Sequence, residues 1–162
     1  RALDIMKDSR IGAFGAMALV LALLAKVSLL ALLGAHSLGA ALAALAGGHV
    51  LSRLWPLFIV RWLPHVGDTA RSKSKPLADQ ISRGALAAAV LWCFLPLALV
   101  YQAHAAIFLI ASITVSMAAA AWMGRWFARR LQGFTGDCLG ATQQVGEIGF
   151  YLGAALALGA AR

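Results

Sequence analysis

The strongest constraint on this chain is the spacing of its charges. Apolar runs at residues 13–33, 40–63, 84–101, 105–122 and 139–160 alternate with short polar segments that hold most of the acids and bases. A helix rises 1.5 Å per residue and a bilayer core is about 30 Å thick, so about 20 residues cross it. Each run therefore reads as one membrane-spanning helix, in which the backbone satisfies its own hydrogen bonds. The expected fold is all-α: a polytopic membrane helix bundle with about five transmembrane helices, forming a single domain over residues 1–162. Composition agrees, since 62% of residues are hydrophobic and 12% are charged, whereas soluble domains carry about 25% charge. The same counts, with 16 Gly and 2 Cys, exclude a disordered chain, a collagen repeat and a disulfide scaffold. The sequence opens on Arg1 rather than Met, with no cleavable signal before the first run. That fits the C-terminal part of a longer chain.

The net charge of +8 would suggest nucleic acid in a soluble protein. Here its placement points to orientation instead. Arg1, Lys7 and Arg10 precede the first run; Arg61, Arg71, Lys73, Lys75 and Arg83 surround the middle segment; Arg125, Arg129 and Arg130 precede the last run. These eleven residues fall on one side of the expected topology, and the short turns on the other side, at 34–39 and 101–104, hold no Lys or Arg. Positive charge marks the cytoplasmic face, so the chain is expected in the bacterial cytoplasmic (inner) membrane with its working face in the cytoplasm. The lipid bilayer is then a partner and nucleic acid is not. A homo-oligomer is left open.

Three groups of residues could carry chemistry. Asp4 and Asp8 are four apart, which on a helix brings their Cβ atoms to about 5–6 Å. A solvated face accounts for such a pair, and so does a divalent cation bridging carboxylates and a substrate phosphate; Lys7 and Arg10 suit the phosphate. In the run GFTGDCLGATQQ at 133–144, glycines with Thr135 and Asp137 stand where a helix begins. There Asp137 reads equally as an N-cap or as part of an anion or metal site. Gln143, Gln144 and Glu147 follow and must face the bundle interior or water. In the second run His49 and Arg53 share a helix face, with Ser52 between them, and an arginine inside an apolar span is by default a functional residue. Lys26 either snorkels or pairs with Glu147, and the sequence does not decide.

The words LDIMKDSRIG at 3–12, HVLSR at 49–53 and GFTGDCLGATQQVGE at 133–147, in this order and interspersed with five spans, resemble the cobalamin synthase (adenosylcobinamide-GDP ribazoletransferase) family. The resemblance covers the whole chain, and MKDSRIG with GDCLGA is specific as a pair. It implies a magnesium-dependent transferase of vitamin B12 biosynthesis that joins GDP-activated adenosylcobinamide to alpha-ribazole or its 5′-phosphate and releases GMP. The family also has an acidic DGxADxxDG segment ahead of MKDSR, and this sequence starts after it. Carried onto these residues, the resemblance implies catalytic Asp8 and Asp137; Mg2+ on Asp4, Asp8 and Asp137; and substrate contacts from Lys7, Arg10, Arg53, Gln143 and Gln144. The rival reading is a small polytopic transporter or channel whose path is lined by Lys26, Arg53 and Glu147. Transporters concentrate polar groups at the bilayer midplane, whereas here most lie on one aqueous face.

Overall fold

The computed structural model describes residues 11–66 and 81–160. Asp4, Lys7, Asp8 and Arg10 thus lie outside the described residues. Five helices follow in order: α1 (Ala13–His36), α2 (Leu38–Trp62), α3 (Arg83–Ala103), α4 (Ala106–Leu131) and α5 (Gly136–Ala160). A single extended residue separates α1 from α2. The Ser37 N–H closes α1 on the Leu33 carbonyl at 3.0 Å, while its hydroxyl accepts the Ala40 N–H at 3.0 Å and so caps α2. The turn expected at 34–39 shrinks to that residue because Gly34 and Gly39 are held in helix on either side. Ser82 caps α3 in the same way, accepting from the Ala85 N–H at 3.0 Å.

Two boundaries differ from the sequence reading. In sequence the stretch 124–140 reads as a polar break between the last two runs, yet α4 continues to Leu131 and α5 starts at Gly136. Arginine is a good helix former, and Arg129 and Arg130 in the last turn of α4 complement the helix dipole. Below them, Met123 and Phe127 are buried against Ile59, Val60, Phe134 and Cys138, which anchors the extension. The connection is therefore only residues 132–135, turned by Gln132 in the left-handed conformation at φ 56°.

The fifth helix also differs in kind. α1 to α4 are long and apolar enough to cross a membrane. α5 has comparable length, 25 residues, but carries Asp137, Gln143, Gln144 and Glu147. It packs against α4, α2 and α1, and so occupies the middle of the bundle. A helix sheathed by others needs less apolar surface than one facing lipid.

Close approach of backbones replaces the hydrophobic drive that lipid cannot supply. Added Cβ atoms would lie 3.0 Å from the Ser116 Cα at Gly149 and 2.6 Å from the Ser112 Cα at Gly153. This glycine stripe lets α5 lie directly on α4. The Ser116 hydroxyl fastens three helices: it accepts the Trp55 indole N–H of α2 at 2.8 Å and donates to the Gly146 carbonyl of α5 at 2.7 Å. Both cysteines are buried and free.

The contacts give α1 and α5 one direction and α2 the opposite one. At one end the Val66 N–H donates to the Phe134 carbonyl and the Phe134 N–H to the Pro64 carbonyl, each at 2.9 Å, tying the end of α2 to the α4–α5 turn. Gly133 is crowded by the Pro64 carbonyl and Val66. Its close backbone approach, expected to serve an anion, is made to this segment of the chain.

Candidate functional site: a polar seam between α1, α2 and α5

At 100° per residue, Asp137, Gln144, Glu147 and Tyr151 fall along one stripe of α5. The stripe runs inward from the end tied by Phe134. Asp137 stands at its mouth, exposed and in the first helical turn rather than at the N-cap, since the helix begins one residue earlier. There its carboxylate complements the helix dipole. Farther in, Glu147 is buried, with 7% of its side chain exposed.

Glu147 is held from two helices. From α1, Lys26 Nζ pairs with its Oε1 at 3.1 Å and donates to Gln144 Oε1 at 2.6 Å. The Tyr151 hydroxyl, one turn farther along α5, donates to the same Glu147 oxygen at 2.7 Å. Lys26 therefore pairs with Glu147, one of the two alternatives left by the sequence. Unpaired, either charge would cost several kcal/mol at this depth.

From α2, His49 Nδ1 lies 3.5 Å from the Tyr151 hydroxyl, 3.8 Å from Glu147 Oε1 and 3.1 Å from the Leu45 carbonyl. Arg53 Nη1 donates to the His49 carbonyl at 2.7 Å. His49 and Arg53 are exposed, whereas Ser52, between them in sequence, is fully buried on the core side. The site thus uses the outward face of α2. Gly48 makes the arrangement fit, because a Cβ there would sit 2.6 Å from Tyr151 Cε1. The tyrosine ring can lie on the α2 backbone and aim its hydroxyl along the seam.

The seam brings Arg53 and Gln144 from the expected set together with Lys26, His49, Glu147 and Tyr151, while Asp137 stands apart toward the start of the same stripe of α5. Gln143 is half-buried beside it. Tyr151 had no signal of its own in a Gly- and Ala-rich run; its four-residue spacing from Glu147 was the available clue. Asp4, Lys7, Asp8 and Arg10, which lie outside the described residues, complete the expected set. Among the described residues no three acidic, His or Cys side chains are grouped as a metal would require. Glu147 is already engaged by Lys26 and Tyr151, and Asp137 is the other carboxylate among the described residues, exposed at the start of α5.

Beyond Tyr151 the seam ends. Residues 152–160 of α5 and 38–48 of α2 contain no charged or polar side chain. The polar groups of α5 and α2 thus lie between Asp137 at the helix end and Tyr151, and past them only α1 is polar, with His36 beside Ala155 and Leu158.

Comparison with known proteins bears on what such a seam serves. A protein of Polaromonas naphthalenivorans named adenosylcobinamide-GDP ribazoletransferase is 60% identical over 98% of this chain and 61% of its own length. One from Albidiferax ferrireducens with the same name is 59% identical over the same shares, and one from Leptothrix cholodnii is 44% identical over 94% of this chain and 58% of its own. The chain thus spans about three-fifths of the length of these curated relatives. No solved structure matches it. The family model for cobalamin-5-phosphate synthase matches residues 1–155, and with that coverage, and relatives this similar, the chain belongs to the cobalamin-5-phosphate synthase family.

Proposed function

We propose that this chain is part of an adenosylcobinamide-GDP ribazoletransferase of the bacterial inner membrane, with the polar seam opening to the cytoplasm. Its reaction joins adenosylcobinamide phosphate, activated as its GDP derivative, to alpha-ribazole or its 5′-phosphate and releases GMP. The observation that carries this reading is the high identity to relatives of that name along nearly the whole chain. The same relatives support it against a transporter or channel.

In this reading the exposed Arg53 guanidinium binds a phosphate of the activated corrinoid, with Lys7 and Arg10 as further cations; guanidinium geometry suits bidentate phosphate contact. Gln143 and Gln144 contact substrate near the mouth. Asp137, with Asp4 and Asp8, would hold Mg2+. A bound magnesium ion supplies charge neutralisation across a pyrophosphate. The protein's own part is to orient the phosphate against the attacking hydroxyl and to keep the leaving nucleotide in reach of fixed cations.

The test is GMP release from adenosylcobinamide-GDP by the full-length protein in membrane vesicles. Release should require alpha-ribazole or its phosphate, stop on chelation of magnesium, and vanish in Asp137→Asn with the protein still folded in the membrane. Absence of corrinoid transfer by the wild type would overturn the reading. Near-normal release by Asp137→Asn would remove Asp137 from it.

A further inference from the structure

Every group around His49 Nδ1 is a hydrogen-bond acceptor toward it. The Leu45 carbonyl, 3.1 Å away, can only accept. The Tyr151 hydroxyl commits its own proton to Glu147 and so offers its oxygen, at 3.5 Å. The Glu147 carboxylate lies at 3.8 Å. The ring proton of a neutral His49 is therefore fixed on Nδ1, and the lone pair is on Nε2. Half of the His49 side chain is exposed, and among the described residues Nε2 has no hydrogen-bond partner.

We propose that His49 Nε2 is the proton acceptor for the hydroxyl that attacks the activated corrinoid, a role that rests on the transferase reading above. The attacking oxygen forms a bond to the phosphorus on the corrinoid side of the pyrophosphate. The bond from that phosphorus to the bridging oxygen breaks, its electron pair stays on that oxygen, and GMP leaves. The hydroxyl proton passes to Nε2 and then to solvent, so the base is regenerated.

The surrounding groups are arranged for this step. The charged and titratable groups facing His49 among the described residues are Glu147 and Tyr151 of α5, Lys26 of α1 acting through Glu147, and Arg53 on its own helix. The carboxylate, 3.8 Å from Nδ1, favours the imidazolium through charge, while the Leu45 carbonyl at 3.1 Å holds the ring by its Nδ1 proton. Lys26 and Tyr151 fix that carboxylate by 3.1 and 2.7 Å contacts, which makes Glu147 a positioning residue. Arg53, one turn along the same face and anchored on the His49 carbonyl, sets the phosphate-binding cation beside the base.

The experiment uses the full-length protein in membrane vesicles with adenosylcobinamide-GDP and alpha-ribazole. His49→Asn retains a donor near the Nδ1 position and removes the Nε2 lone pair. Its kcat should fall by about 10²- to 10⁴-fold, with little change in either KM and with loss of the acidic limb of the pH–rate profile. Added imidazole should partly restore His49→Ala. Wild-type kcat and an intact acidic limb in His49→Asn would overturn the assignment. So would a loss confined to KM, or an inactive His49→Ala that imidazole does not rescue. If the wild type transfers nothing, the transferase reading itself fails, and this role falls with it.

Discussion

Lys26 Nζ and Glu147 Oε1 stand 3.1 Å apart and join the middle of α1 to the middle of α5, with side chains 17% and 7% exposed. Neither charge has enough water around it to be tolerated alone, so the pair fixes how α1 docks on the central helix. Lys26→Met leaves the carboxylate with only Tyr151 and His49, and should destabilise the detergent-solubilised protein by about 3–5 kcal/mol. Adding Glu147→Gln removes the orphan charge and should recover most of that loss. Thermal unfolding of the single and double variants measures the coupling. Additive losses would show that the two residues do not depend on each other.

Glycines on the same helix should differ sharply in tolerance. At Gly153 a Cβ would collide with the Ala111 carbonyl and stand 2.6 Å from the Ser112 Cα, whereas at Gly159 nothing lies within 4 Å. Gly153→Ala should therefore force α4 and α5 apart and cost about 1–3 kcal/mol, while Gly159→Ala should leave the unfolding midpoint unchanged. Equal midpoints for the two variants would contradict the packing.

The helices and their order were legible in the sequence, because long apolar runs broken by charge have few other solutions in lipid. The end of α4 was not. Arg125, Arg129 and Arg130 read as loop, yet their backbone stays helical while Met123 and Phe127 pack beneath them. The central place of α5 was also hidden, since only its neighbours show how a helix with Gln144 and Glu147 is covered over most of its length, with Leu152 and Leu156 left exposed. Within the site, His49 and Arg53 stood out by their i,i+4 spacing. The role of Glu147 depends on a lysine 121 positions away, which periodicity on one helix cannot reveal.

Orientation follows from the basic end. Arg61, Arg83, Arg129 and Arg130 lie at helix ends or in the last turns, toward the tie between Pro64–Val66 and Phe134, with Arg125 one turn farther back on α4. By the positive-inside rule we propose that this end faces the cytoplasm. A cysteine placed at Ser72 or Thr135 should resist an impermeant thiol reagent in sealed cells and react once the membrane is opened. Labelling from outside at either position would invert the map.

In the proposed reaction the seam between α1, α2 and α5 receives the activated corrinoid through Arg53, which equilibrium binding can test. Lysine keeps the charge but loses the planar fork that grips a phosphate. Affinities of the full-length wild type and Arg53→Lys should be measured for adenosylcobinamide-GDP and, separately, for alpha-ribazole. With Arg53 on the corrinoid phosphate, Arg53→Lys should show a clear loss for the GDP-activated corrinoid and little change for alpha-ribazole. Equal losses for both ligands, or an unchanged affinity for the corrinoid nucleotide, would mean that Arg53 only braces α2 through the His49 carbonyl.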